Sequence, residues 1–171
     1  MSHDLSNISF RAMTPPDLPL LHEWLGRPHV AEWWGPPADY AGFEKEYSRV
    51  LDEHSTVSCH IAMRNNMPVG FVQSYVVMHA GDGWWENETD PGARGMDQFL
   101  ANVDDLGRGL GTEMVSRFVA RLFDDSGVTR VQADPSPDND RAIRCYQRAG
   151  FELQGNVWTP DGPAVLMTRA R

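Results

Sequence analysis

The 171-residue sequence predicts an α/β (α+β) fold, in which about four helices flank a mixed, mostly antiparallel sheet of about seven strands. Short segments of alternating apolar and polar residues recur along the chain, as half-buried strands do. Longer segments between them carry apolar residues at helical spacing. Apolar residues are spread over the whole chain and its length suits one core, so we predict a single domain over residues 1–171.

The first part of the chain predicts one strand and two helices. Residues 8–12 alternate, which indicates a strand, and Pro15-Pro16-Asp17 then opens a helix. The apolar face of this helix consists of Leu18, Leu21, Trp24 and Leu25. Residues 29–37 contain glycine and prolines, which predicts a loop, and apolar residues at helical spacing from 40 to about 54 predict a second helix.

The middle of the chain predicts three strands and a long loop. Residues 57–63 and 69–78 are β-branched and alternating, and the turn between them predicts a hairpin. Residues 80–95 are rich in glycine and acidic residues, which is typical of a loop. A fourth strand is predicted over residues 96–101.

The last part of the chain predicts a helix, a strand, another helix and a hairpin. Apolar residues repeat at helical spacing over 110–123, and residues 128–133 predict the fifth strand. A further helix is predicted over 139–149, where Gly150 ends it. Residues 151–167 predict a closing hairpin around Pro160-Asp161-Gly162.

Composition predicts a cytoplasmic protein without a metal. No stretch approaches the roughly 20 consecutive apolar residues of a membrane-spanning helix, and residues 1–10 lack the features of a secretory signal. Cys59 and Cys145 are expected to be two unpaired, buried thiols. Neither the cysteines nor the histidines show the spacing of metal ligands, so we expect no metal cofactor.

The formal charge of −9 disfavours nucleic acid and favours a cationic partner. The same composition also fits acidic residues that only keep the protein soluble. The positions of the acidic residues must decide between the two. We expect a small cationic substrate, no nucleic acid and no membrane, and either a monomer or a homodimer.

Three glycines precede a long predicted helix, in the segment LGRGLGT (residues 106–112). Gly107, Gly109 and Gly111 leave backbone N–H groups bare at the positive end of the helix, where an anion such as a pyrophosphate can be held. The spacing differs from the G-x-G-x-x-G pattern of dinucleotide-binding folds, and no Walker lysine follows. Such turns also occur as structural connectors, so both interpretations stay open on this feature alone.

A second segment follows about one helix and one strand later. Asn139, Ala142 and Tyr146, followed by Gly150-Phe151, resemble, together with the glycine turn, the GCN5-related N-acetyltransferase (GNAT) superfamily. The resemblance implies the GNAT fold and transfer of acetyl from acetyl-CoA to an amine. Leu106 stands where the family has Gln or Arg. Since backbone N–H groups make most of the cradle, pyrophosphate binding is expected to survive, and Arg108 can supply charge.

Further segments resemble aminoglycoside 6'-N-acetyltransferases, in particular the type Ib group, over nearly the whole chain. They are EWWG (32–35), QSYV (73–76), GDGWWENETDPG (81–92), GMDQFLAN (95–102), DPSPDN (134–139) and TPDGPAV (159–165). Siderophore lysine N-acyltransferases are similar in fold but usually carry His where this chain has Asp97. The resemblance therefore implies acetylation of the 6'-amine of compounds such as kanamycin or tobramycin, which confers antibiotic resistance.

Two residues are candidates for acid–base catalysis. Transfer from a thioester to an amine requires a neutral amine and a proton for the departing thiolate. Asp97 is the candidate base, and the alternative is that it only anchors the substrate ammonium. Tyr146 is the candidate acid because the ordinary pKa of a phenol, about 10, is close to that of an alkyl thiol. The alternative is a core tyrosine. Cys145 faces about 100° away on an ideal helix and is not expected to be a nucleophile.

The resemblance implies acetyl-CoA as cosubstrate, held by the fourth strand and the glycine turn. A backbone N–H near Gln98 to Leu100, where the family has a bulge, is expected to stabilise negative charge on the carbonyl oxygen. The pantetheine is expected to pair with residues 99–101. The expected cofactor-binding residues are Gln98, Phe99, Leu100, Ala101, Gly107, Arg108, Gly109, Leu110, Gly111, Thr112 and Asn139.

The loop over residues 80–95 combines carboxylates with two tryptophans, which suits a polycationic aminosugar. For Glu86 and Glu88 we favour a solvated loop instead. Asp134 and Asp161 stand at positions that resemble drug-contacting acids of the family. One of Trp33 and Trp34 is expected to line the pocket and the other the core. The expected substrate-binding residues are Trp34, Asp82, Trp84, Trp85, Asp97, Asp134 and Asp161.

Two other functions are compatible with the sequence. One is an acyl-CoA-dependent acyltransferase of another small amine, such as a polyamine or a siderophore lysine. The other is a non-catalytic module that binds an acyl-CoA or an aminosugar. The presence of both Asp97 and Tyr146 argues against the non-catalytic module.

Overall fold

The structure, a computed structural model, describes residues 7–171. The expectation that no secretory signal is present falls partly on residues 1–6, which lie outside the described residues. The strands are β1 (Ile8–Ala12), β2 (Val57–Arg64), β3 (Met67–Val76), β4 (Ala93–Leu100), β5 (Arg130–Ala133), β6 (Glu152–Thr159) and β7 (Gly162–Ala170). The helices are α1 (Leu18–Leu25), α2 (Pro28–Trp34), α3 (Tyr40–Val50), α4 (Leu110–Phe123) and α5 (Asp140–Arg148). Within the described residues, each helix is too short or too polar to span a membrane.

All seven strands form one sheet in the order β1-β2-β3-β4-β5-β7-β6. Only β4 and β5 pair in parallel, since α4 carries the chain from the end of one to the start of the other. The other neighbours pair antiparallel. The prediction of a mixed, mostly antiparallel sheet of seven strands is therefore confirmed.

Helices cover both faces of the sheet. On one face, α4 and α5 pack through residues such as Val115, Phe118 and Tyr146 against Met96 and Val131. On the other face, α1, α2 and α3 pack on the half of the sheet that contains β2, β3 and β4. The buried residues of this second cluster include Leu21, Val30, Phe43, Ile61, Phe71 and Phe99.

Five α-helices are present where about four were predicted, because residues 28–34 form α2 rather than a loop. Pro28 occupies the first turn of α2, where a missing N–H costs nothing. Gly35 ends the helix with a φ of 75°. The proline and the glycine thus delimit a short helix, and only Val30 of its residues is fully buried, so little apolar periodicity reveals it.

Several element boundaries differ from the predictions. Strand β3 spans Met67–Val76 rather than residues 69–78, and β7 ends at Ala170 rather than at residue 167. Helix α3 ends at Val50 rather than near residue 54, and β5 begins at Arg130 rather than at residue 128. Strand β4 begins at Ala93, inside the predicted loop. Ala93, Arg94 and Gly95 pair with β5, so the tertiary pairing imposes strand structure on a segment whose residues do not favour it.

Candidate active site

The sheet opens between β4 and β5. The parallel pairing of these strands ends at Gly95 and Gln132, while β4 continues to Leu100. The register between β3 and β4 runs without a shift from Gly70 opposite Leu100 to Val76 opposite Arg94. The expected bulge in the fourth strand is therefore absent from this pairing of described residues. The divergence of β5, rather than a bulge, separates the strands.

A cleft of ≈ 130 Å³ lies at this opening. One wall is the end of β4, with Gln98, Phe99 and Leu100, and a second wall is formed by α2. The glycine turn, the first turn of α4 and one face of α5 close the cleft on its other sides. Its remaining lining residues are His29, Val30, Trp33, Trp34, Leu106, Gly107, Gly109, Gly111, Thr112, Asn139, Arg141, Ala142, Cys145 and Arg148.

The glycine turn leads directly into α4. Gly107 and Gly109 have φ values of 71° and 85°, in the left-handed region that favours glycine. Gly109 is the N-cap of α4, and a Cβ at either glycine would meet open space. The turn therefore presents bare backbone at the positive end of a long helix, as an anion site requires. Together with Arg141 and Arg148, it suits an anionic cofactor.

The predicted cofactor residues fall into two groups. Most of them line the cleft: Gln98, Phe99, Leu100, Gly107, Gly109, Gly111, Thr112 and Asn139. The side chains of Ala101 and Leu110 are instead buried in apolar clusters, and Arg108 is exposed outside the lining. Asn139 also caps α5, since its Oδ1 accepts from the N–H of Ala142 at 3.1 Å.

Helix α2 supplies cleft residues that the sequence did not reveal. The Nε2 atom of His29 lies 2.9 Å from the carbonyl oxygen of Leu100, and Arg27 donates to the carbonyl of Ala101 at 2.6 Å. His29 lines the cleft, and so do both Trp33 and Trp34, of which only one was expected there. The predicted loop concealed this helix. Arg141 and Arg148 were also missed, although two cations seven residues apart on one helix face are a recognisable signal.

Asp97 lies on β4, next to Gln98 of the cleft lining. Its Oδ2 accepts a hydrogen bond of 2.9 Å from Nε2 of Gln73, the residue directly opposite on β3. Burial raises the pKa of the Asp97 carboxyl, the Gln73 hydrogen bond opposes that rise, and the charge of Asp161 adds to it. The raised pKa makes Asp97 a stronger base than an ordinary aspartate.

Two further carboxylates lie close enough to interact electrostatically with Asp97, and each comes from a different part of the fold. Asp134 follows β5, and Asp161 lies in the turn between β6 and β7. Burial, and then the charges of Asp97 and Asp161, raise the pKa of Asp134 to about 8. Burial and mutual repulsion thus both oppose ionisation of these carboxyl groups, and a cationic ligand that pairs with them would favour their ionised form.

Tyr146 is 4% exposed and lies among the core residues between α5 and the sheet. Its ring contacts that of Phe151, with centroids 5.1 Å apart. Burial raises the pKa of the phenol well above 10, and the charges of Asp97 and Asp134 add to the effect, while a hydrogen bond with Gln98 opposes it. The hydroxyl is therefore protonated at neutral pH and lies near both the carboxylates and the cleft.

Five residues in the first part of the acidic loop, which spans residues 77–92 between β3 and β4, have a left-handed backbone. His79, Gly81, Asp82, Gly83 and Trp85 all have φ values between 50° and 84°. A positive φ is unusual for a residue as large as tryptophan, and Trp85 is held there by a hydrogen bond of 3.1 Å from its Nε1 to the Tyr75 hydroxyl. The loop is thereby attached to β3 beside the carboxylates.

Two other acids of this loop, Glu88 and Asp90, have structural partners, whereas Glu86 is exposed. Glu88 forms an ion pair with Arg130 of β5 and accepts from the backbone N–H of Asp90 at 2.8 Å. Asp90 accepts from the Thr129 hydroxyl at 2.5 Å. These contacts fasten the end of the loop to β5. The Glu88 side chain is only 12% exposed, so the expectation that it is solvated is wrong, because its ion pair draws it onto β5.

The tryptophans and Asp82 occupy different surroundings. Trp84 and Trp85 lie side by side, with ring centroids 5.9 Å apart, and Asp82 is exposed. Trp34 packs on Phe71 and Phe99, at 5.8 and 5.2 Å, and also lines the cleft, whereas Trp33 is 40% exposed. Trp34 therefore lies between the core and the cleft, and its contact with substrate stays a prediction.

Sequence comparison identifies relatives of the chain. Residues 14–159 match the family described as acetyltransferase (GNAT) domain. An aminoglycoside N(6')-acetyltransferase type 1 from Klebsiella pneumoniae is 52% identical over 168 residues, which cover 96% of this chain and 84% of that protein. A kanamycin resistance protein from Rhizobium radiobacter is 64% identical over 88 residues, or 52% of this chain and 82% of that protein.

Solved structures show the same architecture. The aminoglycoside acetyltransferase AAC(6')-Ib in complex with coenzyme A and kanamycin superposes with a TM-score of 0.91 at 53% identity, covering 96% of this chain and 95% of that chain. Spermidine N-acetyltransferase from Vibrio cholerae, in complex with coenzyme A and spermine, has a TM-score of 0.76. Its identity of 13%, over 95% of both chains, is evidence for the fold alone.

Proposed function

The chain belongs to the GNAT acetyltransferase family, and from that premise we propose that it transfers the acetyl group of acetyl-CoA to the 6'-amine of aminoglycosides. It is an acetyl-CoA-dependent N-acetyltransferase. Its relatives of more than 50% identity over most of the chain are aminoglycoside acetyltransferases. Resistance to such antibiotics is the expected consequence.

The substrate assignment depends mainly on one observation, the cluster of Asp97, Asp134 and Asp161 beside the cleft. The cluster suits a molecule with several ammonium groups, because each ammonium can pair with a carboxylate and offset the burial and mutual repulsion that raise the pKa values of Asp97 and Asp134. A neutral or anionic acceptor would leave that repulsion in place. The tryptophan pair of the acidic loop offers flat faces for sugar rings.

Asp97 acts as the base in this proposal. Its carboxylate pairs with the substrate ammonium and accepts a proton from it, directly or through water. The raised pKa of Asp97 brings it closer to the pKa of an amine, which favours proton transfer over simple anchoring. Asp134 and Asp161 hold other ammonium groups and so orient the reacting amine toward the cleft.

Acetyl-CoA, when bound, supplies an activated thioester carbonyl. The glycine turn, Arg141 and Arg148 would hold its phosphates, and Gln98 to Leu100 would line its pantetheine arm. A backbone N–H in that stretch of β4 would stabilise the negative charge that develops on the carbonyl oxygen. Cys145 is left without a catalytic part, since burial raises the pKa of its thiol and Thr112 donates to its sulfur at 3.8 Å.

Tyr146 donates the proton that the departing sulfur requires. The charges of Asp97 and Asp134 contribute to its raised pKa, so pairing of these carboxylates with substrate ammonium groups brings the phenol back toward the pKa of a thiol. Proton donation from Tyr146 therefore becomes easier once the substrate is bound. This coupling favours reaction only in the complex with both substrates.

In the proposed function, residues 1–171 form a single acetyltransferase domain that acts in the cytoplasm and binds neither nucleic acid nor a membrane. All the residues that it uses lie in one chain, so it applies to a monomer and to a homodimer alike. It requires no metal for the chemistry.

One assay tests the substrate and the regiochemistry together. Release of CoA thiol from acetyl-CoA is measured with a panel of aminoglycosides that carry either an amine or a hydroxyl at the 6' carbon. We expect thiol release only with the 6'-amino compounds, and a product that carries one acetyl group on that amine by mass spectrometry. Acetylation of a polyamine with none of the aminoglycosides would show that the substrate assignment is wrong.

A further inference from the structure

Three side chains form a row across neighbouring strands on the α1–α3 face of the sheet. Cys59 of β2 lies opposite Gln73 of β3, and Gln73 lies opposite Asp97 of β4. Cys59 is 5% exposed and belongs to the apolar cluster beneath α1, α2 and α3. The row therefore leads from the core of the protein to the carboxylate at the site.

The Gln73 carboxamide is engaged at both ends. Its Nε2 donates to Oδ2 of Asp97 at 2.9 Å, and its Oε1 accepts from the thiol of Cys59, with Sγ at 3.9 Å. A rotated amide would place Oε1 against the carboxylate oxygen, which repels it, and would lose both hydrogen bonds. The thiol and the carboxylate thus select one orientation of the amide.

Cys59 is suited to act as a donor. Burial and the neighbouring charge of Asp97 raise the pKa of its thiol to about 12, so that the sulfur keeps its hydrogen at neutral pH. A neutral amide also suits the position of Gln73. An arginine or lysine there would neutralise Asp97 and compete with the substrate ammonium, whereas an amide leaves the carboxylate charge available.

We propose that Gln73 is a positioning residue, whose carboxamide, oriented by the Cys59 thiol, fixes Oδ2 of Asp97 and leaves the other carboxylate oxygen for the substrate amine. The inference rests on the proposed function. Gln73 and Cys59 contact neither acetyl-CoA nor the aminoglycoside, and both act through Asp97. The lone buried cysteine thereby has a part in the site that requires no nucleophilic chemistry.

The test compares Gln73→Met, which keeps most of the side-chain volume, with the wild type. Without the amide donor, the pKa of Asp97 rises, so the acidic limb of kcat/KM for the aminoglycoside moves to higher pH by about one pH unit. The KM for acetyl-CoA is expected to stay unchanged, because Gln73 does not line the cofactor cleft. The other titratable groups around Asp97 are Tyr47, Cys59, Tyr75, Asp134, Tyr146 and Asp161.

Variants of Cys59 separate positioning from packing. Cys59→Ser keeps a donor and Cys59→Ala removes it, so the acidic limb of the alanine variant is expected to move in the same direction as in Gln73→Met, and that of the serine variant to stay near the wild type. Gln154→Met, on the exposed edge strand β6, is the matched control and leaves the limb in place. Thermal unfolding of each variant identifies losses that come from misfolding.

The outcomes distinguish this inference from the function it rests on. An active wild type with an unmoved acidic limb in Gln73→Met would overturn the positioning role alone. A wild type that acetylates no aminoglycoside would overturn the proposed function. In that case, carbon-13 NMR titration of the Asp97 carboxyl still tests the inference without activity, because Gln73→Met must raise the Asp97 pKa in the free protein.

Discussion

At the scale of single residues, the site consists of groups whose protonation depends on one another. The charges of Asp97 and Asp134 raise the pKa of Tyr146, and Asp161 raises the pKa of both aspartates. Burial contributes the largest part in each case. A cationic ligand therefore alters the proton affinity of every member of the cluster at once.

Tyr146→Phe is expected to lower kcat by about 100-fold or more, the usual contribution of a general acid. Binding of acetyl-CoA is expected to change little, because the Tyr146 side chain is buried behind the cleft lining. Steady-state kinetics and calorimetric titration with CoA measure the two quantities. An unchanged kcat, under conditions where chemistry limits the rate, would exclude Tyr146 as the acid.

Asp134→Asn is expected to reduce proton release when an aminoglycoside binds. With a pKa of about 8, Asp134 is largely protonated at pH 7 in the free protein and must ionise to pair with an ammonium group. Its contribution to affinity therefore grows as the pH rises toward 8.

Calorimetry in two buffers of different ionisation enthalpy counts the protons. We expect the asparagine variant to release fewer, by up to about one proton per site at pH 7. The free aminoglycoside is the same for the wild type and the variant, so the difference reports the loss of the Asp134 carboxyl and of its effect on the groups coupled to it. Equal proton release would contradict a protonated Asp134.

At the scale of elements, the acidic loop and the glycine turn both use left-handed backbone at the edges of the site. In the loop, Trp85 has a positive φ and is held by Tyr75. The Tyr75 ring lies against Gly95, where a Cβ would overlap it. A strand glycine, a strand tyrosine and a loop tryptophan thus place the loop beside the carboxylates.

Tyr75→Phe is expected to raise the KM for aminoglycosides about fivefold, since it removes one hydrogen bond worth about 1 kcal/mol that orders the loop. The KM for acetyl-CoA is expected to stay the same, because Tyr75 does not line the cofactor cleft. Tyr40→Phe, on the exposed side of α3, is the control. A parallel rise in both KM values would instead indicate a general loss of structure.

Gly109→Ala is expected to destabilise the protein by roughly 1–2 kcal/mol, because an alanine at φ 85° occupies the left-handed region. Gly111→Ala is the matched variant. Its Cβ would lie 3.5 Å from Sγ of Cys145, which is an ordinary contact, and Gly111 lies within α4, where alanine is the better helix former. We expect its stability to be unchanged or slightly higher. Denaturant unfolding gives the free energy of unfolding of both variants, provided that its dependence on denaturant concentration is unchanged. Equal losses of that free energy in the two variants would show that the turn does not require glycine.

At the scale of the whole molecule, the sheet opening provides a cleft for the anionic acetyl-CoA, whereas the net charge favours approach of the cationic acceptor. The divergence of β4 and β5 creates the cofactor cleft, and the arginines of α5 provide it with positive charge. The molecule as a whole is nevertheless acidic, with a formal charge of −9. Long-range steering is therefore expected to attract the cationic acceptor more than the anionic acetyl-CoA.

Raising the ionic strength from about 0.01 M to about 0.15 M is expected to lower kcat/KM for the aminoglycoside several-fold, because screening removes the steering. The value of kcat is expected to change little. For acetyl-CoA, kcat/KM is expected to stay level or rise over the same range. Stopped-flow or steady-state assays at fixed pH measure these constants, and a fall of the same size for both substrates would contradict the steering.

Most of the fold was predictable because strands and long amphipathic helices have local periodicity. Helix α4 was predicted with the bounds that it has, since its buried face repeats regularly, from Leu110 to Phe118 and Val119. Helix α2 was not predicted, because it is short and buries only Val30 completely. The start of β4 was missed for another reason, since pairing with β5 rather than local preference makes residues 93–95 extended.

The sequence by itself determined the fold class, the glycine turn and the acidic residues available for a cationic substrate, because backbone geometry and residue chemistry are local properties. Only the tertiary structure decided which of them meet. Asp97, Asp134 and Asp161 lie far apart in the chain, and their common site depends on how β4, β5 and the β6–β7 turn are placed in the sheet. The row from Cys59 through Gln73 to Asp97 depends likewise on strand register, since a shift by one residue would turn each side chain to the opposite face.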